Sequence, residues 1–323
     1  MSFELIIPFL RPIESLLADD EISEIMCNPD SSCWIEREGR ITPVVNAKFK
    51  TGELHAGLEV IANKFGKQLD ASHPILNARL PDGSRLAAMI APVVGPEPLL
   101  NIRKFGRRNY TLNDLVSREA MSLEMAEKLR QAVQRAENIL ISGATGTGKT
   151  TLLNALANEI PAEDRIFVIE DIAEVRIQKP HVVSTESQSN THTEEITFDV
   201  LLKAALRHRP DRIILGEVRG GEARTLLDAM NTGHRGTLAT IHAGSPQAAL
   251  RRLAVLAVRG SQQLALSEAQ EEVRSTVSMV VQLERIGGLR RVTGILATAQ
   301  DDPKQKTTGV PLGLSLPPMS SFA

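Results

Sequence analysis

The sequence predicts an α/β protein in two parts: a mostly parallel sheet covered by helices on both faces over residues 117–300, preceded by a smaller α+β domain over residues 1–104. Two observations carry the prediction. In the second half, short apolar runs alternate with helical patterns, as parallel strands joined by crossover helices require. In the first half, short extended runs are broken by frequent turn signals. The 323 residues also suit two domains of ~150 residues each.

Taken in order, Ile22 to Met26 and Trp34 to Glu38 read as short strands around the turn Asn28-Pro29-Asp30. Leu54 to Phe65 has helical spacing, with Leu54, Leu58 and Ile61 on one side. Leu80-Pro81-Asp82-Gly83-Ser84-Arg85 is a Pro-Asp-Gly turn between two extended runs. The run Leu86 to Val94 leads through Pro96 and Pro98 to an extended Leu99 to Arg103. The polar, basic stretch after it places a linker at residues 105–116.

Beyond it, Ser122 to Ala136 reads as a helix and Ile139 to Ser142 as a strand. A glycine-rich turn comes next, then a helix over Lys149 to Glu159. Further strands are expected at Ile166 to Glu170, Val182 to Thr185, Arg212 to Leu215 and Thr237 to Ile241, with helical patterns between them. After Ser245 the chain turns helical, and Val277 to Glu284 and Arg291 to Leu296 flank Gly287-Gly288 as a hairpin. Residues 301–323, with four prolines and little periodicity, read as a disordered tail.

Composition narrows the function. Hydrophobic residues at 42% and charged ones at 24% exclude wholesale disorder. With 37 Lys+Arg against 39 Asp+Glu, the net charge is -2, unlike a nucleic-acid coat. Aromatics are only 3%, with Trp34 and Tyr110 single of their kind, so the core is aliphatic and stacking platforms are scarce. Direct nucleic-acid binding is therefore not indicated. No apolar run reaches the ~20 residues that span a bilayer. The opening segment carries Glu4 and Pro8 where a secretory signal would be basic and then uninterrupted. Cys27 and Cys33 are too few for a disulfide framework or a four-cysteine zinc site. A cytoplasmic protein with idle thiols is expected.

The most informative segment is Gly143-Ala144-Thr145-Gly146-Thr147-Gly148-Lys149-Thr150, which fits the Walker A pattern. Its glycines let the backbone curl so that successive N–H groups face phosphate oxygens, and the following helix presents its positive end. ATP and Mg²⁺ are the cofactors this implies. Lys149 would bridge the β- and γ-phosphates, the Thr150 hydroxyl would hold Mg²⁺, and Thr151 would add a contact to the α-phosphate. A chance match at four fixed positions is the alternative. The strand before the loop and the helix after it argue against chance.

Such a loop needs a carboxylate at the end of a neighbouring strand, to position Mg²⁺ or the attacking water. Arg212 to Leu215 runs into Gly216-Glu217, so Glu217 emerges at the edge where ligands bind in such sheets. Phe167 to Ile169 runs into Glu170-Asp171, with Glu174 a turn further on. Asp171 and Glu174 would equally serve to cap the turn or pair with Arg176. Thr237 to Ile241 has His234 before it and His242 after it, and His242 falls on the loop's edge, where an imidazole would sense the γ-phosphate. Arg79, Arg85 and Arg103 of the first domain, and Arg219, are candidates to stabilise phosphoryl charge; solvated surface arginines are the plain alternative.

Together GATGTGKTT, VIEDIAE, IILGEVRGGEA and TGHRGTLATIH, in this order and spacing, resemble the secretion ATPase superfamily of type II and type IV secretion systems. ARLPDGSRL and LLNIRKF are similar to the stretches before that family's core, and the resemblance spans Asp20 to Leu296. The chain looks most like the conjugal-transfer branch. The resemblance implies a RecA-like P-loop NTPase core and a homo-hexameric ring, cytoplasmic or peripheral on the inner membrane. Such a ring would work with inner-membrane components of the transfer apparatus, its ATP cycle driving pilus assembly and substrate transfer. Lys149 and Thr150 then bind phosphate and Mg²⁺, Glu217 positions or activates water, Glu170 assists at the metal directly or through water, and His242 reports the γ-phosphate. Arg103, and after it Arg79 and Arg85, would reach the nucleotide. No cysteine follows Cys33, unlike branches with a four-cysteine motif near the C-terminus, which favours the type IV transfer or pilus-retraction branches. A hexameric DNA translocase and a nucleotide-gated docking module are the competing readings. A small-molecule kinase lacks any acceptor-site motif here.

Overall fold

The computed structural model describes residues 6–37, 39–104, 109–188, 195–261 and 263–298. Two short 3₁₀ turns lead into α1 (Glu14–Ala18), and an antiparallel sheet comes next. Its strands are β1 (Ile22–Cys27), β2 (Cys33–Arg37) and β3 (Arg40–Val44), then, after helix α2 (Glu53–Lys64), β4 (Ile75–Arg79), β5 (Arg85–Met89) and β6 (Leu99–Arg103). They run in the order β3-β2-β1-β6-β5-β4. The expected stripe of α2, Leu54, Leu58 and Ile61, is buried in one core with Ile25, Leu100 and Ile102 of the sheet. β3 has no counterpart in the sequence reading. It is an exposed edge containing Pro43, so neither burial nor alternation marks it. The expected run to Val94 leaves the sheet at Met89.

The Pro-Asp-Gly turn fixes the placement of two arginines. Gly83 takes φ +89, a left-handed value that favours glycine. Its amide donates to the Leu80 carbonyl at 2.8 Å. The hairpin so closed sets Arg79 directly across from Arg85.

The second part begins earlier than the sequence suggests. Residues 105–108 lie outside the described segments, but residues 112–116 of the expected linker belong to a helix, α3 (Leu112–Ser117). Thr111 caps it in a box with Asp114, and Leu112 and Leu115 join the core of the second sheet. The proposed tail at 301–323 is likewise outside the described residues. Then come α4 (Leu123–Gln134), β7 (Ile139–Gly143), α5 (Lys149–Ala157), β8 (Ile166–Glu170) and β9 (Val182–Glu186). α6 (Phe198–Ala205), β10 (Arg212–Leu215), α7 (Glu222–Asn231), β11 (Leu238–Ile241), α8 (Pro246–Arg259) and α9 (Leu266–Thr276) continue the chain. The hairpin β12 (Met279–Ile286) and β13 (Leu289–Ala297) ends the described fold.

The sheet order is β13-β12-β7-β11-β10-β8-β9, parallel throughout except for β13. Its central strands β7, β8, β10 and β11 are buried at every position because both faces are covered. Ile139, Ile141, Ile166 and Val168 pack towards α3, α4 and α5, whereas Leu140, Phe167, Ile169, Ile213 and Leu215 pack towards α6 to α9. Because these strands run parallel, the C-terminal ends of β7, β8, β10 and β11 lie along one edge. The two parts meet there: Arg85 pairs with Glu174 at 3.0 Å, and Arg79 pairs with Glu186.

Candidate active site

The loop between β7 and α5 has a shape that only its glycines permit. A Cβ on Gly143 would come within 2.6 Å of both the Leu283 carbonyl oxygen and Thr147 Oγ1. Gly146 and Gly148 take φ +75 and +96. Thr147 is buried, and its hydroxyl donates to the Ala144 carbonyl at 2.9 Å, closing the loop on itself. Ala144, Thr145 and Gly146 form the exposed crest. Gly148 is the N-cap of α5, so the first amides of that helix, from Lys149, Thr150 and Thr151, lack carbonyl partners within the helix. This is the geometry of an anion cradle.

Lys149 is 8% exposed. Its Nζ donates to the carbonyls of Gly143 at 3.1 Å and Ala144 at 3.0 Å, and stands 3.5 Å from His242 Nδ1. Burial lowers its pKa, and the Glu217 carboxylate opposes that shift. Glu217, just past β10, contacts His242 Nε2 through Oε1 at 3.2 Å and accepts from Arg219 through Oε2 at 2.9 Å. The other arm of Arg219 donates to Asp171 at 2.8 Å. A continuous chain thus runs Lys149–His242–Glu217–Arg219–Asp171. The His242 pKa lies below its ordinary value because the ring is partly desolvated and faces the Lys149 charge. It is a neutral imidazole at pH 7.

The acids after β8 divide differently from the reading that places Glu170 at the metal. Glu170 is 3% exposed, and its Oε1 accepts the backbone N–H groups of Glu174 and Val175, each at 3.0 Å. Burial pushes its pKa up to about 7 against those two hydrogen bonds. Gly216 makes room for it, since a Cβ there would lie 3.0 Å from Glu170 Cγ. The carboxylate beside the Thr150 hydroxyl is Glu174, at 3.4 Å, and its second oxygen takes Arg85. Of the three first-domain arginines, Arg85 is therefore the one linked to the loop through a single carboxylate. Arg103 sits on β6 in register with Glu24 of β1 and Arg85 of β5, where its charge acts on Glu24. His234 lies at the opposite end of β11, with Nδ1 3.3 Å from the Ala229 carbonyl.

Two roles escaped the sequence reading. The first is the Arg85–Glu174–Thr150 link; the symmetric arginines flanking Asp-Gly were its only sequence signal. The second is Arg219 as the bridge between Glu217 and Asp171, which no spacing announces.

A glycine-rich loop at the C-terminal edge of a parallel sheet, with a lysine, a flanking carboxylate and a histidine converging on it, defines a nucleotide-binding protein of the P-loop class. Residues 10–293 match the type II/IV secretion system protein family, and the chain belongs to that family. It is 38% identical over 286 residues to the conjugal transfer protein TrbB of Rhizobium radiobacter, covering 87% of this chain and 84% of that one. Among solved structures it is similar to the VirB11 ATPase of the Brucella suis type IV secretion system in complex with sulphate, at 27% identity and a TM-score of 0.50, over 93% of this chain and 95% of that one. It shares its fold with the Legionella pneumophila ATPase DotB, at 20% identity and a TM-score of 0.67, over 91% and 81% of the two chains.

Proposed function

We propose that this protein hydrolyses ATP as a homo-hexameric ring, the motor of a type IV secretion or conjugal transfer apparatus. The observation that carries the reading is the chain Lys149–His242–Glu217–Arg219 beside the loop. A loop that only held nucleotide would not need a carboxylate oriented from both sides. The family membership and the conjugal transfer and type IV secretion relatives support the cellular role.

In this mechanism the loop amides and the N-terminus of α5 hold the α- and β-phosphates. Lys149 exchanges the carbonyls of Gly143 and Ala144 for the β- and γ-phosphates. His242, neutral, donates its one ring N–H to a γ-phosphate oxygen and passes its presence to Glu217. Glu217, fixed by Arg219, accepts a hydrogen bond from the attacking water and aligns it for in-line displacement. Thr150 and Glu174 offer the hydroxyl and carboxylate oxygens that Mg²⁺ prefers, with Glu170 behind them. When bound, Mg²⁺ would neutralise phosphate charge. The first-domain arginines, Arg103 included, would complete a site closed by the first domain of the same or an adjacent subunit. Among the described residues no helix is long and apolar enough to cross a membrane. A place at the cytoplasmic face of the inner membrane, against its transfer components, is part of the proposal.

The test is ATP hydrolysis per protomer across a range of protein concentrations, with light scattering on the same samples. Specific activity should rise as hexamers appear, and Lys149→Ala should abolish both hydrolysis and nucleotide binding. Full activity in a monomer would sink the ring. Nucleotide binding untouched by Lys149→Ala would sink the site.

A further inference from the structure

The β12–β13 hairpin touches three parts of the molecule. β12 lies beside β7, with Leu283 in register with Gly143, so the hairpin grows from the strand next to the nucleotide loop. Beyond that point Arg285 donates to the Gly39 carbonyl, in the turn between β2 and β3. Arg290, near the start of β13, holds its Nη2 3.9 Å from Glu36 Oε1 of β2. The stem of the same arginine passes over the loop: a Cβ on Gly148 would lie 3.5 Å from Arg290 Cδ. Gly148 is the residue from which the phosphate-facing amides of α5 begin.

Arg290 is thus within a side chain's swing of two anionic partners, a carboxylate of the first domain and the place of the nucleotide's phosphates. At 3.9 Å its contact with Glu36 is an ion pair without a hydrogen bond, and 43% of the Arg290 side chain is exposed. Glu36 is held in place, since its other oxygen accepts from Ser23 Oγ at 2.8 Å. The neighbouring Arg291 is already engaged with Glu119 at 3.1 Å on the other side of the strand. The guanidinium fork fits phosphate as well as carboxylate, and a polyphosphate carries more charge than one carboxylate.

We infer that Arg290 is a nucleotide-binding residue that exchanges Glu36 for a phosphate of the bound nucleotide. Filling the loop then removes one of the two hairpin arginines from β2–β3, while Arg285 keeps its hold on Gly39. The exchange links occupancy of the loop to the grip between the two parts of the chain. It rests on the reading that the loop takes ATP.

The experiment is equilibrium binding of a fluorescent ADP analogue to the full chain, for the unchanged protein, Arg290→Gln, Arg290→Lys, Glu36→Gln and the Glu36→Gln/Arg290→Gln pair. Loss of a charge-assisted contact to phosphate should weaken binding about tenfold in Arg290→Gln, and less in Arg290→Lys. Removal of the competing carboxylate should tighten binding about threefold in Glu36→Gln, the scale of a half-exposed ion pair. The double variant should bind like Arg290→Gln alone, because the gain from Glu36→Gln acts through Arg290. A gain of affinity cannot come from misfolding, so Glu36→Gln decides even if Arg290→Gln fails to fold. Unchanged affinity in Arg290→Gln, no tightening in Glu36→Gln, or a tightening that survives in the double variant would overturn the inference. If the unchanged protein binds no nucleotide, the ATP reading itself falls and this inference with it. If it binds and only Lys149→Ala abolishes binding, the inference alone falls.

Discussion

Glu170 closes β8, and Glu217 lies just past β10, the strand hydrogen-bonded beside it. Both carboxylates leave the same edge of the sheet within one residue of each other in register, since the Gly216 amide donates to Ile169. Their surroundings differ in what the next turn does. After β8 the chain curls back so that the amides of Glu174 and Val175 occupy Glu170, which burial then holds near pH 7. After β10 the chain runs on to Arg219, and Glu217 is shared between a guanidinium and an imidazole that lead to Lys149. A carboxylate at a strand end is a reagent only where the following backbone leaves it one. Glu170 braces the turn that presents Glu174, and Glu217 faces Lys149 of the loop through His242.

The largest effect that would sharpen this contrast is in Glu217→Gln. Loss of a water-orienting carboxylate should cut kcat by about 10²–10³-fold while nucleotide binding persists. Single-turnover hydrolysis beside equilibrium binding would show it. Equal losses of both would make Glu217 a binding group and erase the contrast.

Glu170→Gln should behave oppositely, chiefly through stability. The Glu170 pKa is raised from an ordinary 4.5 to about 7, so the folded state binds a proton that the unfolded chain releases. Stability from this group is full below about pH 4.5 and is lost as pH rises through about 7. Glutamine keeps the two amide hydrogen bonds without a charge to bury. Denaturant unfolding at pH 5 and pH 8 should show the unchanged protein losing about 2–3 kcal/mol more than the variant over that interval. A pH-independent difference would mean that Glu170 is ionised in the fold. A kcat loss as deep as that of Glu217→Gln would break the comparison outright.

Smaller effects belong to the outer carboxylate. Glu174→Gln keeps the shape but weakens both the Thr150 contact and the Arg85 pair. The Mg²⁺ concentration for half-maximal hydrolysis should rise about threefold to tenfold, with little change in stability, as a partly exposed pair allows. Arg219→Ala, which frees Glu217 on one side and Asp171, should lower kcat only a few-fold, about the worth of one orienting contact, because His242 still holds the other oxygen. If Arg219→Ala matches Glu217→Gln, the bridge rather than the acid is the critical group.

Most of the second part was legible because its signals are local. Strand, glycine loop and helix occur in sequence, and strands buried on both faces announce themselves as apolar runs such as Ile166 to Glu170 and Arg212 to Leu215. The edge strand β3, with Pro43 and exposed side chains, carries no such mark. α3 was hidden for a different reason: six residues are too short for periodicity, and only the Thr111–Asp114 box announces it. Within the site, the Walker A pattern named Lys149, and residue types just past strand ends named Glu217 and His242. Pairings more than a hundred residues apart, such as Arg79 with Glu186, leave no trace in spacing.

By itself the sequence determined the glycine loop, the parallel sheet that holds it and the edge from which it emerges, because backbone conformation and burial are written in neighbouring residues. Tertiary structure alone decided which acid is held by backbone amides and which by Arg219 and His242, and which arginine of the first domain is linked to the loop through Glu174. It also alone brought Arg290 to lie between Glu36 and Gly148. Those choices depend on desolvation and on distances between segments far apart in the chain, and neither quantity exists until the two sheets are packed together.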